Sequence, residues 1–557
     1  MAKKRLEVSD RWIQLCKTKT WDGILEETAG KIPDAEALVF EGERISYRQY
    51  LEKVYQYAKG LYAIGVRRGD NVALWMTNRP EWCYARHAAY KLGAVIIPVS
   101  TRYRVDDLDY ILGQSDTKVL IIEPKFIGKV DSLGMVNQLY PGLASSKPGE
   151  LASEKFPSLK AVVSVDGSFP GCFTIDEVLE KGKEVSDSDI KVELTPDDII
   201  HIIYSSGTTG FPKGIITPNM CNVAYSAIST ELFSLKEGAR YLIVLPFFGN
   251  IGLWSMSMCL LSGATLVMTT RFSPADTFQI IEKEKITHAM LVPTTLIDML
   301  AHPDFDKYDL SSLKHITSAG AVVPSTIIRE FKQRTGVDIM NCYGLAEASG
   351  LSTWVPEGDT PEHVEKTVGL PMPHSELAIL DVDTDKPLPP EQEGELCTRE
   401  VFPGSQHMKG YYKKPELTAD TIRDGWLHSG DLGKMDEDGY VYITGRVKEM
   451  YTVGGFNVSP PETEDFLLKH PKIEAVSIVG VPEERLGEVG AAFIRLKKGE
   501  TATETEIIQY CKEKIADIKV PRYVFFIEQF PLNPQGKVQK FKQREWAVKE
   551  LGLKERK

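Results

Sequence analysis

The sequence predicts an α/β protein: a large N-terminal domain of layered α/β subdomains with a β-rich subdomain, then a small α+β C-terminal domain. Three observations predict it. The chain has 557 residues, more than a single core usually organises, so two or more domains are expected. Short apolar runs alternate with longer helical patterns, as in largely parallel sheets covered by helices. After GRVKEM (445–450) a separate strand and helix pattern begins and fills the remaining chain.

Taken in order, YRQYLEKVYQYAKGL (47–61) reads as a helix, and NVALWM (71–76), AVIIPV (94–99), KVLII (118–122), DIIHIIY (198–204) and HAMLV (288–292) as buried strands. The segment from about Asp131 to Pro196 is rich in Ser, Gly, Pro, Lys and Glu and is the least regular, although its AVVSV argues against simple disorder. No charged residue occurs from Tyr241 to Thr270, a length that could span a bilayer. Pro246, Gly249, Gly252 and Gly263 punctuate it, however, and YLIVL and ATLVM read as short strands around a helix. A buried core element is expected, with no integral membrane segment. From Pro371 to Tyr442 turns are dense and strands short (ELAIL, GELCT, YVYIT), which marks the β-rich subdomain. AVSIVGV, AAFIRL and YVFFI supply strands of the last domain. The expected division is 1–445, a connector at 446–450, and 451–557, the last within the usual size of a domain.

Composition excludes several classes. Hydrophobic residues make up 42% and charged residues 26%, as in ordinary globular proteins. A net charge of −12 argues against nucleic acid as a partner. Eight scattered cysteines without a C-x-x-C pair read as reduced thiols in a cytoplasmic protein. The ten histidines form no H-E-x-x-H, so no stored transition metal is expected. The N-terminus, MAKKRLEVSD, lacks the apolar run of a secretory signal.

The strand ending at Tyr204 runs into SSGTTGFPKG (205–214). Gly207 and Gly210 let backbone approach phosphate oxygens. Ser205, Ser206, Thr208 and Thr209 offer donors, Lys213 adds a mobile cation and Pro212 stiffens the turn. The spacing is not that of the common P-loop. Such clusters are usually only polar surface loops, but one placed directly after an apolar strand and closed by PKG reads as a phosphate holder.

This stretch resembles the signature of the adenylate-forming superfamily, which includes acyl-CoA synthetases, carrier-linked amino-acid adenylation domains and beetle luciferases. Further motifs follow in that family's order: ISYRQY (45–50), LPFFGNIG (245–252), TSAGA (317–321), NCYGLAE (341–347) and GYY (410–412). DGWLHSGDLG (424–433), GRVKEM (445–450), GGFNVSPPE (454–462) and PLNPQGKV (531–538) complete the set. The resemblance covers nearly the whole chain and points to an AMP-forming acyl-CoA synthetase. It implies that ATP and AMP are held by Ser205, Ser206, Gly207, Thr208, Thr209, Gly210 and Lys213. Gly320, Ala321, Asn341, Cys342, Tyr343 and Gly344 would shape the adenine pocket, with Tyr343 stacking on the base. Asp431 would accept from the ribose hydroxyls, with Arg446 as its partner.

Glu347 is similar to the family's carboxylate for Mg²⁺, a hard ion that prefers oxygen ligands beside a triphosphate; alone it would read as a capping or surface glutamate. Lys537, together with Glu347 and Lys213, is the implied catalytic group. Its ammonium would meet both the substrate carboxylate and the α-phosphate, where in-line attack builds negative charge.

The implied reaction has two steps. Carboxylate and Mg·ATP give an acyl-adenylate and pyrophosphate, and the thiol of coenzyme A then displaces AMP. The C-terminal domain would be mobile about Lys448, two residues after Arg446, bringing Gly454 and Gly455 to line the path of the pantetheine arm. On local sequence alone that glycine pair is an ordinary hairpin turn.

Three positions depart from the common pattern: Ala346 for threonine, Asn533 for threonine, and Gly249 for the histidine of L-P-x-F-H. The last leaves apolar volume beside Phe248, Trp254, Gly320 and Gly350, suited to a medium-chain, branched, cyclic or aromatic acid unless another side chain fills it. The expected partners are that acid, ATP and CoA, with homo-oligomer formation left open. The alternative is a stand-alone enzyme loading an acyl or amino-acid adenylate onto a carrier protein, although no aspartate stands at Phe247–Gly249 to hold an α-ammonium.

Overall fold

The computed structural model describes residues 4–205, 212–320, 323, 325–382, 384–446, 451–458, 460–512, 514–531, 538 and 540–554. Two large sheets dominate the N-terminal part. The nine-stranded sheet runs in the order Leu370–Pro371, Gly350–Trp354, Ile339–Leu345, His315–Ser318, His288–Met290, Arg240–Ile243, Thr265–Met268, Glu36–Phe40, Glu43–Ser46. From Ile339–Leu345 to Glu36–Phe40 all neighbours are parallel, and antiparallel strands close both edges. The eight-stranded sheet runs Gly410–Tyr411, Lys213–Pro218, Ile199–Ser205, Val95–Pro98, Asn71–Trp75, Thr117–Ile122, Ala161–Ser164, Phe173–Thr174. Its central strands are buried on both faces, which is why they read as unbroken apolar runs.

The helix Tyr47–Ala63 starts at a capping box: Gln49 N donates to Ser46 Oγ (3.2 Å) and Ser46 N to Gln49 Oε1 (2.9 Å). Tyr47, Tyr50, Val54, Tyr57, Ala58 and Leu61 form its buried stripe. The charge-free stretch begins inside the strand Arg240–Ile243, just after Arg240, and goes on through the helix Asn250–Ser262 and the strand Thr265–Met268, all contributing to the main core. Among the described residues no helix is long and apolar enough to cross a membrane. The segment expected to be least regular carries two helices, Ser132–Leu139 and Ile175–Gly182. Side-chain caps start both: Asp131 Oδ1 accepts from Gly134 N (2.8 Å), and Thr174 with Glu177 forms a capping box.

The β-rich subdomain is a five-stranded sheet of Ser375–Leu380, Gly394–Glu400, Trp426–Met435, Ile422–Arg423 and Val441–Arg446. Beyond it, Phe456–Val458, Tyr451–Val453, Gly487–Leu496, Ile473–Glu483 and Tyr523–Phe526 form a further five-stranded sheet. Two apolar clusters flank it, one around Leu467, Ile478 and Ile507 and one around Val481, Phe493 and Ala547, both drawn only from residues after 450.

Candidate active site

Each of the four larger sheets contributes residues to the candidate site. The strand Ile199–Ser205 is returned by the antiparallel strand Lys213–Pro218, with Ser205 and Lys213 as Cα partners. The phosphate loop therefore joins two hairpin strands, unlike a P-loop, which opens a helix. Ser206, Gly207, Thr208, Thr209, Gly210, Ala321, Lys448 and Lys537 lie outside the described residues, as does the side chain of Arg446.

Lys213 is buried, and its Nζ lies 4.8 Å from the ring centre of Tyr411. Tyr411 belongs to the edge strand beside Lys213–Pro218 and donates its hydroxyl to Glu347 Oε1 at 2.9 Å. Burial first, and the Glu347 charge second, push the Tyr411 phenol well above its ordinary range, so it is a neutral donor to the carboxylate. Met408 N also donates to the Glu347 carbonyl at 2.9 Å. Lys213 and Glu347, both expected in the site, are thus joined through Tyr411, to which sequence reasoning assigned no role although it stands in the GYY motif. Tyr411→Phe keeps the ring under Lys213 and deletes the donor. It is expected to slow carboxylate-dependent pyrophosphate exchange about tenfold, the worth of one hydrogen bond to a charged group, as measured by isotope exchange.

On the strand Ile339–Leu345 side chains alternate between faces. Asn341 Nδ2 donates to Val364 O (2.7 Å), Cys342 Sγ donates to Ser318 O (3.3 Å) within the core, and Tyr343 donates its hydroxyl to Asp431 Oδ2 (2.7 Å). Cys342 therefore faces away from Tyr343. Gly344 lies where the strand turns closely over its partner: a Cβ there would fall 2.1 Å from Gly350 O. Asp431 is the cross-strand partner of Arg446 in the β-rich sheet, so the expected ribose pair are neighbours by register.

Behind Asp431, Glu395 Oε1 accepts from Gly430 N (2.8 Å), and its Oε2 lies 2.8 Å from His428 Nδ1. Glu395, Cys397 and His428 place ligand atoms within 4.8 Å of one another. Arg423 Nη2, 2.9 Å from the same histidine nitrogen, brings a permanent cation there. The cluster is a scaffold for the irregular 428–431 stretch of the strand Trp426–Met435, where the pairing with Gly394–Glu400 shifts register, rather than a cation site.

Gly454 (φ 57°) and Gly455 (φ 82°) form a two-residue turn between Tyr451–Val453 and Phe456–Val458. Both φ values lie in the left-handed region that a primed hairpin turn requires. The pair is therefore the hairpin turn that the local sequence suggested. The turn rests on the N-terminal part, where a Cβ on Gly320 would come 3.2 Å from Gly455 O and one on Gly455 would come 3.3 Å from Val292 Cγ1.

Phe248 and Gly249 precede the helix Asn250–Ser262. A Cβ on Gly249 would meet only Pro246 O, at 3.5 Å, so the position accepts a side chain. Deeper in, Tyr225 stacks on the buried Trp254 at 5.4 Å, and a Cβ on Gly350 would fall 2.5 Å from Tyr225 Cζ. Tyr225 therefore occupies the volume between Trp254 and Gly350, a side chain that the sequence motifs did not point to.

The layered α/β part, the β-rich sheet and the small terminal sheet all contribute residues to this candidate site. The chain belongs to the AMP-binding enzyme family, which matches residues 25–412, and the AMP-binding enzyme C-terminal domain matches residues 462–537. Among curated relatives, YngI of Bacillus subtilis (strain 168), to which acyl-CoA synthetase activity is ascribed, is 39% identical over 95% of this chain and 97% of its own length. The human medium-chain acyl-CoA ligase ACSF2, a mitochondrial protein, is 35% identical over 96% of this chain and 89% of its own. A solved structure of a double mutant of o-succinylbenzoate CoA synthetase (MenE) from Bacillus subtilis, bound with its product analogue OSB-NCoA, is 25% identical. It superposes with a TM-score of 0.78 over 94% of this chain and 98% of that one. The protein acts on a small-molecule carboxylic acid, ATP and CoA.

Proposed function

We propose that the chain activates a medium-chain, branched or cyclic acid as its adenylate and passes the acyl group to CoA, using one site in two domain arrangements. Residues 1–445 and 451–557 are the two bodies and Lys448 the pivot. In the first step Lys213 and the 205–210 loop bind the outer phosphates, Tyr343 and Asp431 hold the nucleoside, and Lys537 neutralises charge at the α-phosphate. Glu347, oriented by Tyr411, would hold Mg²⁺ with the phosphates; an acidic oxygen ligand fits that hard ion, which supplies neutralising charge. In the second step Gly454 and Gly455 leave a narrow lane for the pantetheine arm.

The observation that carries this reading is the glycine turn seated against Gly320, the loop that follows the His315–Ser318 strand. A turn without side chains at that point suits the passage of a thin thiol arm. The room at Gly249 supports an acid larger than acetate, with Tyr225 as the floor that limits its depth. The eight unpaired cysteines, all buried, support a reducing, cytoplasmic setting.

Two measurements test this. AMP release over a panel of acids of graded size should peak at medium-length or ring-bearing acids and depend on CoA; transfer to a carrier protein but not to CoA would favour the alternative. Gly249→His should shift the preference toward short acids, lowering kcat/KM for the best acid roughly tenfold or more, and an unchanged profile would remove Gly249 from the pocket.

A further inference from the structure

Lys519 belongs to the short turn Asp517–Lys519 of the terminal domain, yet its ammonium is buried against the N-terminal part. Nζ donates to Asp107 Oδ1 at 2.7 Å and to Glu462 Oε1, and lies 5.2 Å from the centre of the Tyr103 ring. The side chains of Lys519 and Asp107 are each 5% exposed and that of Glu462 is 11% exposed. Lysine is almost never so deeply buried without a partner.

Each member is fixed from its own side. Asp107 Oδ2 accepts from Arg104 N at 2.9 Å at the start of the helix Val105–Gln114. The Lys519 carbonyl accepts from Thr463 Oγ1 at 3.4 Å, on the helix that carries Glu462. Close by, the Arg102 guanidinium lies 4.4 Å from the ring centre of Phe456, the residue after Gly455. The contact therefore braces the same hairpin whose tip rests on Gly320.

We propose that Lys519 is a positioning residue for thioester formation: clasped by Asp107, it holds the terminal domain in the arrangement that seats Gly454 and Gly455 beside Gly320. The inference rests on the two-step reading above. A buried ion pair adds little net stability, but losing one partner leaves an uncompensated charge, so such a pair selects one geometry sharply. Away from this arrangement Lys519 keeps Glu462, and Asp107 returns to water. Within it, two carboxylates share one ammonium. Burial is the largest influence raising the Glu462 carboxyl, Lys519 opposes it and Asp107 adds to it. Glu462 Oε2 has no hydrogen-bond partner among the described residues. Without the lysine, two acids would face each other in a dry interface.

The test separates the half-reactions. Lys519→Met and, more mildly, Asp107→Asn should slow conversion of supplied acyl-adenylate and CoA, roughly 100-fold and tenfold respectively, while carboxylate-dependent pyrophosphate exchange stays within about twofold of wild type. The double variant should recover part of the Lys519→Met loss, which a merely structural defect would not do. Spin labels on Glu154→Cys and Lys498→Cys, both exposed positions, should report a compact population that CoA and acyl-adenylate raise in the parent and that Asp107→Asn depletes. Unchanged thioester kinetics and unchanged label distances in both single variants would overturn the clasp while leaving the ligase intact. A parent protein lacking either half-reaction would instead overturn the two-step reading, and the distances, which need no turnover, would still decide whether Lys519 holds the docked arrangement.

Discussion

Lys537→Ala is expected to lower pyrophosphate exchange by about 10²–10³-fold or more while leaving conversion of a supplied acyl-adenylate by CoA near the parental rate. The cause is electrostatic. Attack of one anion, the carboxylate, on another, the α-phosphate, brings like charges together and spreads new charge over the phosphoryl oxygens. A cation held at that junction acts where its field is strongest, because a closed site has little water to screen it. The second step departs from this demand. Its electrophile is an already activated acyl carbon and its leaving group is AMP, so a cation needed to assemble the adenylate is not needed to consume it. Measuring the half-reactions separately checks the assignment. Equal loss in both would show that Lys537 supports folding or general binding, and no loss in either would remove it from the chemistry.

Much of this architecture is legible in the sequence for a simple physical reason: strands buried on both faces must be apolar throughout. NVALWM, KVLII and HAMLV announce themselves, and so does the charge-free stretch around the helix Asn250–Ser262. Local punctuation was legible too, but less loudly. The helices Ser132–Leu139 and Ile175–Gly182 lie in a polar, glycine-bearing segment, and only Asp131 and the Thr174–Glu177 capping box mark where they start. The site was legible as motifs, each a short contiguous string, and not as contacts between strings. Tyr411 meets Glu347 across 64 residues of chain, and Lys519 meets Asp107 across 412. Nothing in the local environment of either partner encodes the other. Tyr225 shows the same limit: replacing a histidine with Gly249 suggests empty volume, but which side chain turns into the neighbouring space is a property of three packed helices and strands.

Gly455→Leu should give the opposite pattern to Lys537→Ala: thioester formation reduced about 100-fold or more, with pyrophosphate exchange nearly unchanged. Two independent costs act in the same arrangement. At φ 82° a β-carbon is strained wherever the hairpin lies, a cost of order 1–2 kcal/mol that both steps share and that lowers stability rather than either rate selectively. The selective cost comes only on docking. A Cβ at 455 already sits 3.3 Å from Val292 Cγ1, and the next carbons of leucine must enter either Val292 or the space beside Gly320. Those atoms would fill the lane proposed for the thiol, since Gly320 has no side chain to withdraw. Gly455→Ala separates the two costs. It carries the same backbone strain and only one added carbon, so it should lose stability comparably to the leucine variant, seen as a similar drop in Tm, while retaining far more thioester activity. If alanine and leucine slow the second step equally, the backbone conformation and not the open lane is what the glycine supplies. If leucine leaves the second step untouched, the thiol reaches the acyl carbon by another route and the docked turn is not its entrance.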